Sequence, residues 1–223
     1  MNVLAIETSS ANLSFSAMCQ DRIVVNYNRR LRFGASKIIL YLEKSLKQAS
    51  LDFGDFDAFI IGSGPGSFTG LRISFALVKA FALALQKPVI AIPSFYAVAY
   101  PFAAQHRRIT VIADARRDLV YTGSFTVERG VLRSEGHTQL MKLEECIGRR
   151  KDYFFLTYDH SIRQKALAQY PRMHFHRTDC YPCAKHLCFI GKDYYNKKRF
   201  TPVSRLEPLY LHPKTCQIVN RVP

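Results

Sequence analysis

A glycine-rich segment between two apolar stretches is the first candidate for chemistry in this chain. It reads Gly62-Ser63-Gly64-Pro65-Gly66-Ser67-Phe68-Thr69-Gly70-Leu71-Arg72. Glycine permits positive φ angles and close approach to a ligand, and the following helix start would offer N–H groups to an anion. Ser67 or Thr69 could instead cap those N–H groups. The P-loop signature Gly-Lys-Ser/Thr is missing, and the dinucleotide pattern fits loosely. A phosphate cradle and a structural turn therefore remain alternatives.

A second candidate is a group of cysteines and histidines near the C-terminus. Cys180 and Cys183 are spaced as in many zinc sites, and further possible ligands lie close in sequence. These are His174, His176, His186 and Cys188. However, Pro182 resembles the start of an amphipathic helix, and small cysteines are common core residues. A single Cys-x-x-Cys pair is a weak zinc signal, so we expect no metal here.

Composition and charge restrict the classes of function. The 223 residues are 48% hydrophobic, enough for one large domain or two lobes, and the net charge is +15. Residues 1–105 contribute +4 and residues 106–223 contribute +11. A basic second half favours a polyanionic neighbour, most plausibly RNA. The N-terminus lacks a basic signal-peptide region, so we expect a cytoplasmic protein with no membrane span.

The elements that must position these groups form two αβ halves. The first half reads βββαβαβα, which predicts a mixed sheet covered by helices. Its predicted strands are 3–7, 13–19, 22–27, 56–61 and 89–92, and its predicted helices are 36–49, 68–86 and 94–104. The second half, 106–223, reads as a smaller α/β lobe. Its predicted strands are 109–113, 119–127 and 153–157, and its predicted helices are 143–149, 161–169 and one after Pro182. We expect the proline-containing tail after about residue 200 to return to the first lobe.

The helix predicted over 68–86 is apolar on nearly all sides, apart from Arg72 and Lys79. One face can pack on its own sheet, so the opposite face must be covered by the core or by another chain. In a chain of this size we favour a second chain. The helix predicted over 36–49 is a reasonable neighbour in that interface.

Several motifs resemble the TsaB (YeaZ) family in the same order along the chain. The glycine segment is similar to that family's hallmark, and Leu4–Ser9 resembles its opening strand, in which Asp usually replaces Glu7. Asp114-Ala115-Arg116-Arg117 resembles its Asp-Ala-Arg-Arg segment, and Pro208–Leu211 resembles its terminal Pro-x-Tyr-Leu. The chain departs from the family at Ala35-Ser36, where His-Ser is common.

The resemblance implies an α/β, actin-like ATPase (ASKHA, ribonuclease H-like) fold with two lobes, 1–105 and 106–223. It implies a non-catalytic role in forming N6-threonylcarbamoyladenosine at position 37 of tRNAs that read ANN codons. The implied partners are a TsaD-like transferase, a TsaE-like ATPase, tRNA through the complex, and a second copy when the chain is alone. ATP and metal are expected on partner subunits, with no cofactor on this chain alone.

Two sets of site residues follow from this interpretation. The family pairs through its first two helices, so we predict a partner surface at Ile38, Ile39, Leu42, Leu46, Leu71, Phe75, Val78 and Ala82. Arg116 and Arg117 are candidates for phosphate contact with tRNA, although paired arginines also form structural ion pairs.

The historical label of the family is glycopeptidase-like, but the sequence offers poor support for catalysis. No two histidines lie four residues apart, as a helical metal pair would require. The two segments that would cradle phosphate in this fold, at Glu7 and at Asp114, lack glycine. We therefore expect no catalytic residue. A phosphotransferase or hydrolase that uses the glycine segment, and a basic RNA-binding module, remain the alternatives.

Overall fold

The computed structural model describes residues 1–30 and 37–211, which form two five-stranded sheets with helices around them. The first sheet has the order β3-β2-β1-β4-β5. Its strands are β1 (Asn2–Glu7), β2 (Asn12–Cys19), β3 (Arg22–Arg30), β4 (Ala58–Gly62) and β5 (Val89–Ile92). The first three strands are antiparallel, whereas β4 and β5 run parallel to β1. This sheet confirms the mixed topology predicted from the βββαβα order.

Helices cover both faces of this first sheet because side chains alternate between its faces. On one face, Leu4 and Ile6 pack with buried residues of α1 (Ile38–Gln48) and α2 (Phe68–Leu85). On the other face, Val3 and Ala5 pack with α6 (Ala184–Asn196). Every residue of β1 except Asn2 is buried, as expected for a strand covered on both sides.

The second sheet has the order β10-β6-β7-β8, with β9 also paired to β7. Its strands are β6 (Arg108–Asp114), β7 (Leu119–Glu128), β8 (Val131–Ser134), β9 (Gln139–Lys142) and β10 (Phe154–Thr157). The helices α4 (Leu143–Arg149) and α5 (His160–Gln169) cover one face. The short strands β8 and β9 were not predicted, because residues 131–142 show little apolar alternation.

The helix α3 (Ser94–Ala99) links the two sheets. Its residue Ala97 belongs to the core around the first sheet, whereas Phe95, Val98 and Ala99 belong to the core around the second. The helix ends five residues before the predicted end, and a short 3-10 turn, Tyr100–Phe102, follows it. The two lobes therefore share a short helix that has one apolar face for each sheet.

The packing of α6 does not follow the lobe boundary that was predicted at residue 105. Helix α6 lies beyond this boundary, yet it packs on the first sheet. The tail also packs on the first sheet, as predicted. Thr201 forms a bridge with Val89, Leu206 is buried in the first core, and the Leu209 N–H donates to the Ser63 carbonyl. The sequence could not assign α6 to a lobe, because an amphipathic helix fits either sheet. Ala35 and Ser36 lie outside the described residues.

Candidate functional site

The glycine segment forms the connection between β4 and α2, and its serine caps the helix. Ser67 is the N-cap residue, and its Oγ accepts a hydrogen bond from the Gly70 N–H at 3.2 Å. Of the two capping residues considered from the sequence, the structure selects Ser67. The connection bends back sharply because Gly64 and Gly66 adopt φ angles of 90° and 153°.

The N–H groups of this connection are largely used within the protein. The Ser67 N–H donates to the Ser9 carbonyl at 2.7 Å. The Gly64 N–H donates to Ser94 Oγ at 3.0 Å, and the Gly70 N–H donates to Ser67. A phosphate cradle needs such donors to converge on a ligand. Here they join the turn to β1 and α3, which favours the structural alternative.

Close backbone packing explains the glycines at positions 66 and 70. A Cβ atom on Gly66 would lie 1.9 Å from the Ser9 carbonyl oxygen. A Cβ atom on Gly70 would lie 2.2 Å from the Thr8 carbonyl oxygen. Both contacts are with backbone atoms, which cannot rotate away as a side chain can. The glycines therefore allow α2 to begin directly against the end of β1.

Glu7 lies beneath this connection and is completely buried. Its Oε1 accepts a hydrogen bond from the Ser9 N–H at 2.6 Å, whereas Oε2 has no hydrogen-bond partner. Burial raises the pKa of Glu7 above its ordinary value, although hydrogen bonds from Ser9 and Ser94 oppose the shift. A buried carboxyl group with a raised pKa is a poor ligand for a hydrated metal ion, which requires an accessible carboxylate.

The loop between β6 and β7 carries the predicted arginine pair. Arg116, Arg117 and Asp118 all adopt positive φ angles, of 65°, 52° and 60°. The turn is held by Asp114 Oδ1, which accepts a hydrogen bond from the Arg116 N–H at 2.8 Å, and by an ion pair between Asp118 and Lys165. Both arginines are exposed. Their contact with tRNA phosphate stays a prediction.

Most side chains of the predicted partner surface lie in the core of this chain instead. Seven of the eight are at most 4% exposed: Ile38, Leu42, Leu46, Leu71, Phe75, Val78 and Ala82. They pack together over one face of the first sheet. Only Ile39, at 53%, is exposed. These seven residues are therefore not an exposed surface, because both faces of α2 are apolar and spacing cannot say which one the sheet covers. Docking of a partner on these helices stays a prediction.

The outward faces of α1 and α2 form a different apolar surface, which we call the outer helix face. On α2 it contains Phe68, Ala76, Ala80, Leu83 and Ala84, and on α1 it contains Ile39 and Leu40. Leu83 is 67% exposed, the highest value among the exposed large apolar residues. On length and composition α2 could also cross a membrane, but its inward face packs on the first sheet.

The C-terminal tail adds an aromatic and cationic group at one end of the outer helix face. The rings of Tyr210 and Phe68 lie 5.4 Å apart, and Arg72 Cζ lies 3.8 Å from the centre of the Phe68 ring. The Arg72 Nε–H donates to Tyr210 Oη at 3.4 Å. Aromatic and arginine side chains are enriched in protein interfaces. Sequence reasoning missed this group, because 138 residues separate Arg72 from Tyr210.

The cysteines near the C-terminus do not converge on a metal site. Cys180 Sγ lies 3.3 Å from His176 Nδ1, whereas Cys183 is buried beside Ser14 Oγ at 3.6 Å. Burial raises the pKa of the Cys180 thiol to about 11, so it is not a thiolate at neutral pH. Within residues 1–30 and 37–211, no group of three His, Cys, Asp or Glu side chains could hold a metal ion.

Comparisons with known proteins agree with this architecture. Residues 34–204 match the family described as TsaD, tRNA N6-adenosine threonylcarbamoyltransferase. A curated relative from Bacillus subtilis, named tRNA threonylcarbamoyladenosine biosynthesis protein TsaB, is 28% identical over 172 residues, which are 75% of each chain.

Solved structures support the same fold. YeaZ from Pseudomonas aeruginosa superposes with a TM-score of 0.79 at 24% identity, over 94% of this chain and 99% of that one. An activator of 2-hydroxyisocaproyl-CoA dehydratase from Clostridium difficile superposes with a TM-score of 0.53 at 9% identity, over 94% of this chain and 100% of that one. With its two α/β lobes of the actin-like ATPase fold, the chain belongs to the TsaB (YeaZ) family, whose members take part in tRNA threonylcarbamoyladenosine biosynthesis.

Proposed function

We propose that this chain is a non-catalytic subunit that docks a TsaD-like transferase through the outer helix face and supports its activity. The modification is N6-threonylcarbamoyladenosine at position 37 of tRNAs that read ANN codons. The observation that carries the proposal is that two helices packed on the same face of the first sheet both expose large apolar side chains. A surface of this kind on a folded chain usually marks a protein interaction site.

The chemistry of the outer helix face fits a helical partner. Ala76, Ala80 and Ala84 follow one another at spacings of four residues along α2 and are exposed. Small side chains let a second helix approach closely, and Leu83 beside them supplies a large apolar group. The charged residues Glu43 and Lys47 form an ion pair on α1, as is typical of a polar rim.

A non-catalytic role is supported by the interlobe region. The N–H groups of Gly64, Ser67 and Gly70 bond within the protein, and Glu7 is buried beneath the connection. On this proposal ATP and metal are held by partner subunits, namely the transferase and a TsaE-like ATPase. tRNA is bound through the complex, the chain forms a homodimer through the same helices when alone, and the assembly is cytoplasmic.

Capture of the purified cognate TsaD-like protein tests the docking surface. Leu83→Asp should abolish capture, because it places a charge in an apolar interface, where desolvation without a partner is costly. Val131→Asp is the matched control, since Val131 is also an exposed apolar residue, on β8 of the second lobe. Equal capture of Leu83→Asp and wild type would show that partner docking uses another surface.

The alternative enzymatic role has its own test. Calorimetry of the isolated chain with ATP and Mg²⁺ should give no heat of binding if the glycine connection is structural. Micromolar affinity together with turnover would overturn the non-catalytic proposal and favour a phosphotransferase or hydrolase.

A further inference from the structure

A large pocket lies at the far end of the second sheet from the interlobe region. It occupies about 780 Å³ and is lined by residues at the start of β6 and β10 and at the end of β7. This volume lies within the range of small-molecule and cofactor sites. The lining residues that carry the argument are His106, Arg107, Arg108, Tyr153, Phe154 and His174.

Positive charge predominates in the sequence around the pocket. The lining itself carries two cations, Arg107 and Arg108, and two acidic residues, Glu128 and Asp152. The stretches next to the lining residues, at 129–133, 149–151 and 172–177, add seven Arg or Lys residues and no acidic residue. Glu128 lies 3.4 Å from Arg133, which offsets its charge. Arg107 and Arg108 are exposed and form no ion pair with any residue that the structure describes. Their guanidinium groups are therefore available to an anionic ligand.

Aromatic rings lie next to these cations. The His106 ring stacks on Phe154, with centroids 3.6 Å apart and planes 9° from parallel. Arg108 Cζ lies 5.7 Å from the centre of the Tyr153 ring, and Tyr153 Oη donates to Glu135 at 2.8 Å. Burial, and to a lesser degree the charge of His176, lowers the pKa of His106, so its ring is neutral at pH 7. The pocket therefore combines flat uncharged rings with cations that have no acidic partner.

We propose that this pocket is an RNA-binding site. Arg107 and Arg108 contact backbone phosphates, and an unpaired base stacks on Tyr153. Proteins hold non-duplex RNA by cations beside aromatic rings, and here the rings of His106, Tyr153 and Phe154 are half-buried next to exposed arginines. Binding of an acidic protein would need the cations alone. The choice of RNA rests on the proposed function, in which the complex acts on tRNA.

The pocket is distinct from the predicted contact at Arg116 and Arg117. Arg108 begins β6 and Asp114 ends it, so six residue steps separate the two ends. At about 3.3 Å per residue, they lie about 20 Å apart. Variants at each end can therefore be compared as separate sites.

Fluorescence anisotropy of the full chain with an unmodified tRNA transcript, measured over a range of salt concentrations, tests the pocket. R107Q/R108Q should bind more weakly and should lower the slope of log K against log salt by about 1.4, from two contacts of about 0.7 each. Tyr153→Ala should bind about 5- to 150-fold more weakly, the equivalent of one stacked base, whereas Tyr153→Phe should retain affinity. R29Q/R30Q, which removes the same charge from the edge strand β3, should bind like wild type.

Two results would overturn the inference. One is unchanged affinity and salt slope for R107Q/R108Q. The other is an equal loss for R107Q/R108Q and R29Q/R30Q with no effect of Tyr153→Ala, which would show that only total charge matters. Binding by R116Q/R117Q does not test this pocket, because those arginines lie at the other end of β6.

The capture experiment separates this inference from the proposed function. If Leu83→Asp loses the transferase while the pocket variants bind tRNA like wild type, the pocket inference fails and the docking proposal stands. If the pocket variants lose tRNA while Leu83→Asp still captures the transferase, the docking proposal fails and the RNA site stands.

Discussion

Replacing Gly70 by alanine should destabilise the protein, although alanine is the better helix former. Gly70 lies in the first turn of α2, and its backbone approaches the end of β1. In an unobstructed helix the change from glycine to alanine gains about 0.5–1 kcal/mol. Here the new Cβ atom would lie 2.2 Å from the Thr8 carbonyl oxygen, which must shift. Overpacking of this kind costs about 1–3 kcal/mol, and a rigid backbone neighbour favours the upper half of that range.

The net expected loss is about 1–2 kcal/mol in the free energy of unfolding. For a chain of this length, 1 kcal/mol shifts Tm by about 2–4 °C, so Gly70→Ala should lower Tm by about 3–8 °C. Gly148→Ala is the matched control, since Gly148 lies in α4 and a Cβ atom there meets nothing within 4 Å. That variant should gain about 0.5–1 kcal/mol.

Urea unfolding followed by circular dichroism measures both variants. The loss of stability in Gly70→Ala relative to wild type should be present without nucleotide, because it arises from contact between α2 and the end of β1. A Gly70→Ala protein as stable as wild type would refute the packing argument. If such a variant had in addition lost ATP binding, the glycine segment would be a phosphate cradle after all.

Two further predictions concern buried ionisable groups. Glu7 binds its proton more tightly in the folded chain than its ordinary pKa of 4.5 allows, so stability should fall as pH rises from about 4.5 through the folded-state pKa. Glu7→Gln should flatten this dependence in urea unfolding between pH 5 and pH 8, and an unchanged slope would contradict it. Arg163→Met should cost about 1–3 kcal/mol, because it leaves the partly buried Asp179 without its ion pair at 2.9 Å. Arg149→Met, which breaks an exposed pair with Glu145, should cost less than about 1 kcal/mol, and equal losses would contradict the role of burial.

The local elements were largely predictable because they depend on neighbours in the sequence. The buried strand β4 is an apolar run, and α2 begins within the glycine segment and ends one residue before the predicted limit. The cap at Ser67 needs only the residues that follow it. These features follow from backbone sterics and capping, which act over a few residues.

The exposed face of α2 was not predictable in the same way. Phe75 and Leu83 belong to one apolar helix, but Phe75 is buried against the first sheet and Leu83 faces outward. In a helix that is apolar on all sides, apolar residues recur at spacings of three and four on either face, so the spacing does not identify the buried face. Its rotation is set by the side chains of β1 and β4 that it covers, which lie far away in sequence.

For this chain, the sequence by itself determined the mixed first sheet, the capped turn into α2, the excess of positive charge in the second half, and the resemblance to one family. Tertiary structure decided which face of α2 is exposed, that α6 packs on the first sheet, and that Cys180 contacts His176 while Cys183 is buried beside Ser14. It also placed Arg108 and Tyr153 on one pocket. The physical reason is range: propensity and capping act between neighbours, whereas burial depends on which distant surfaces meet.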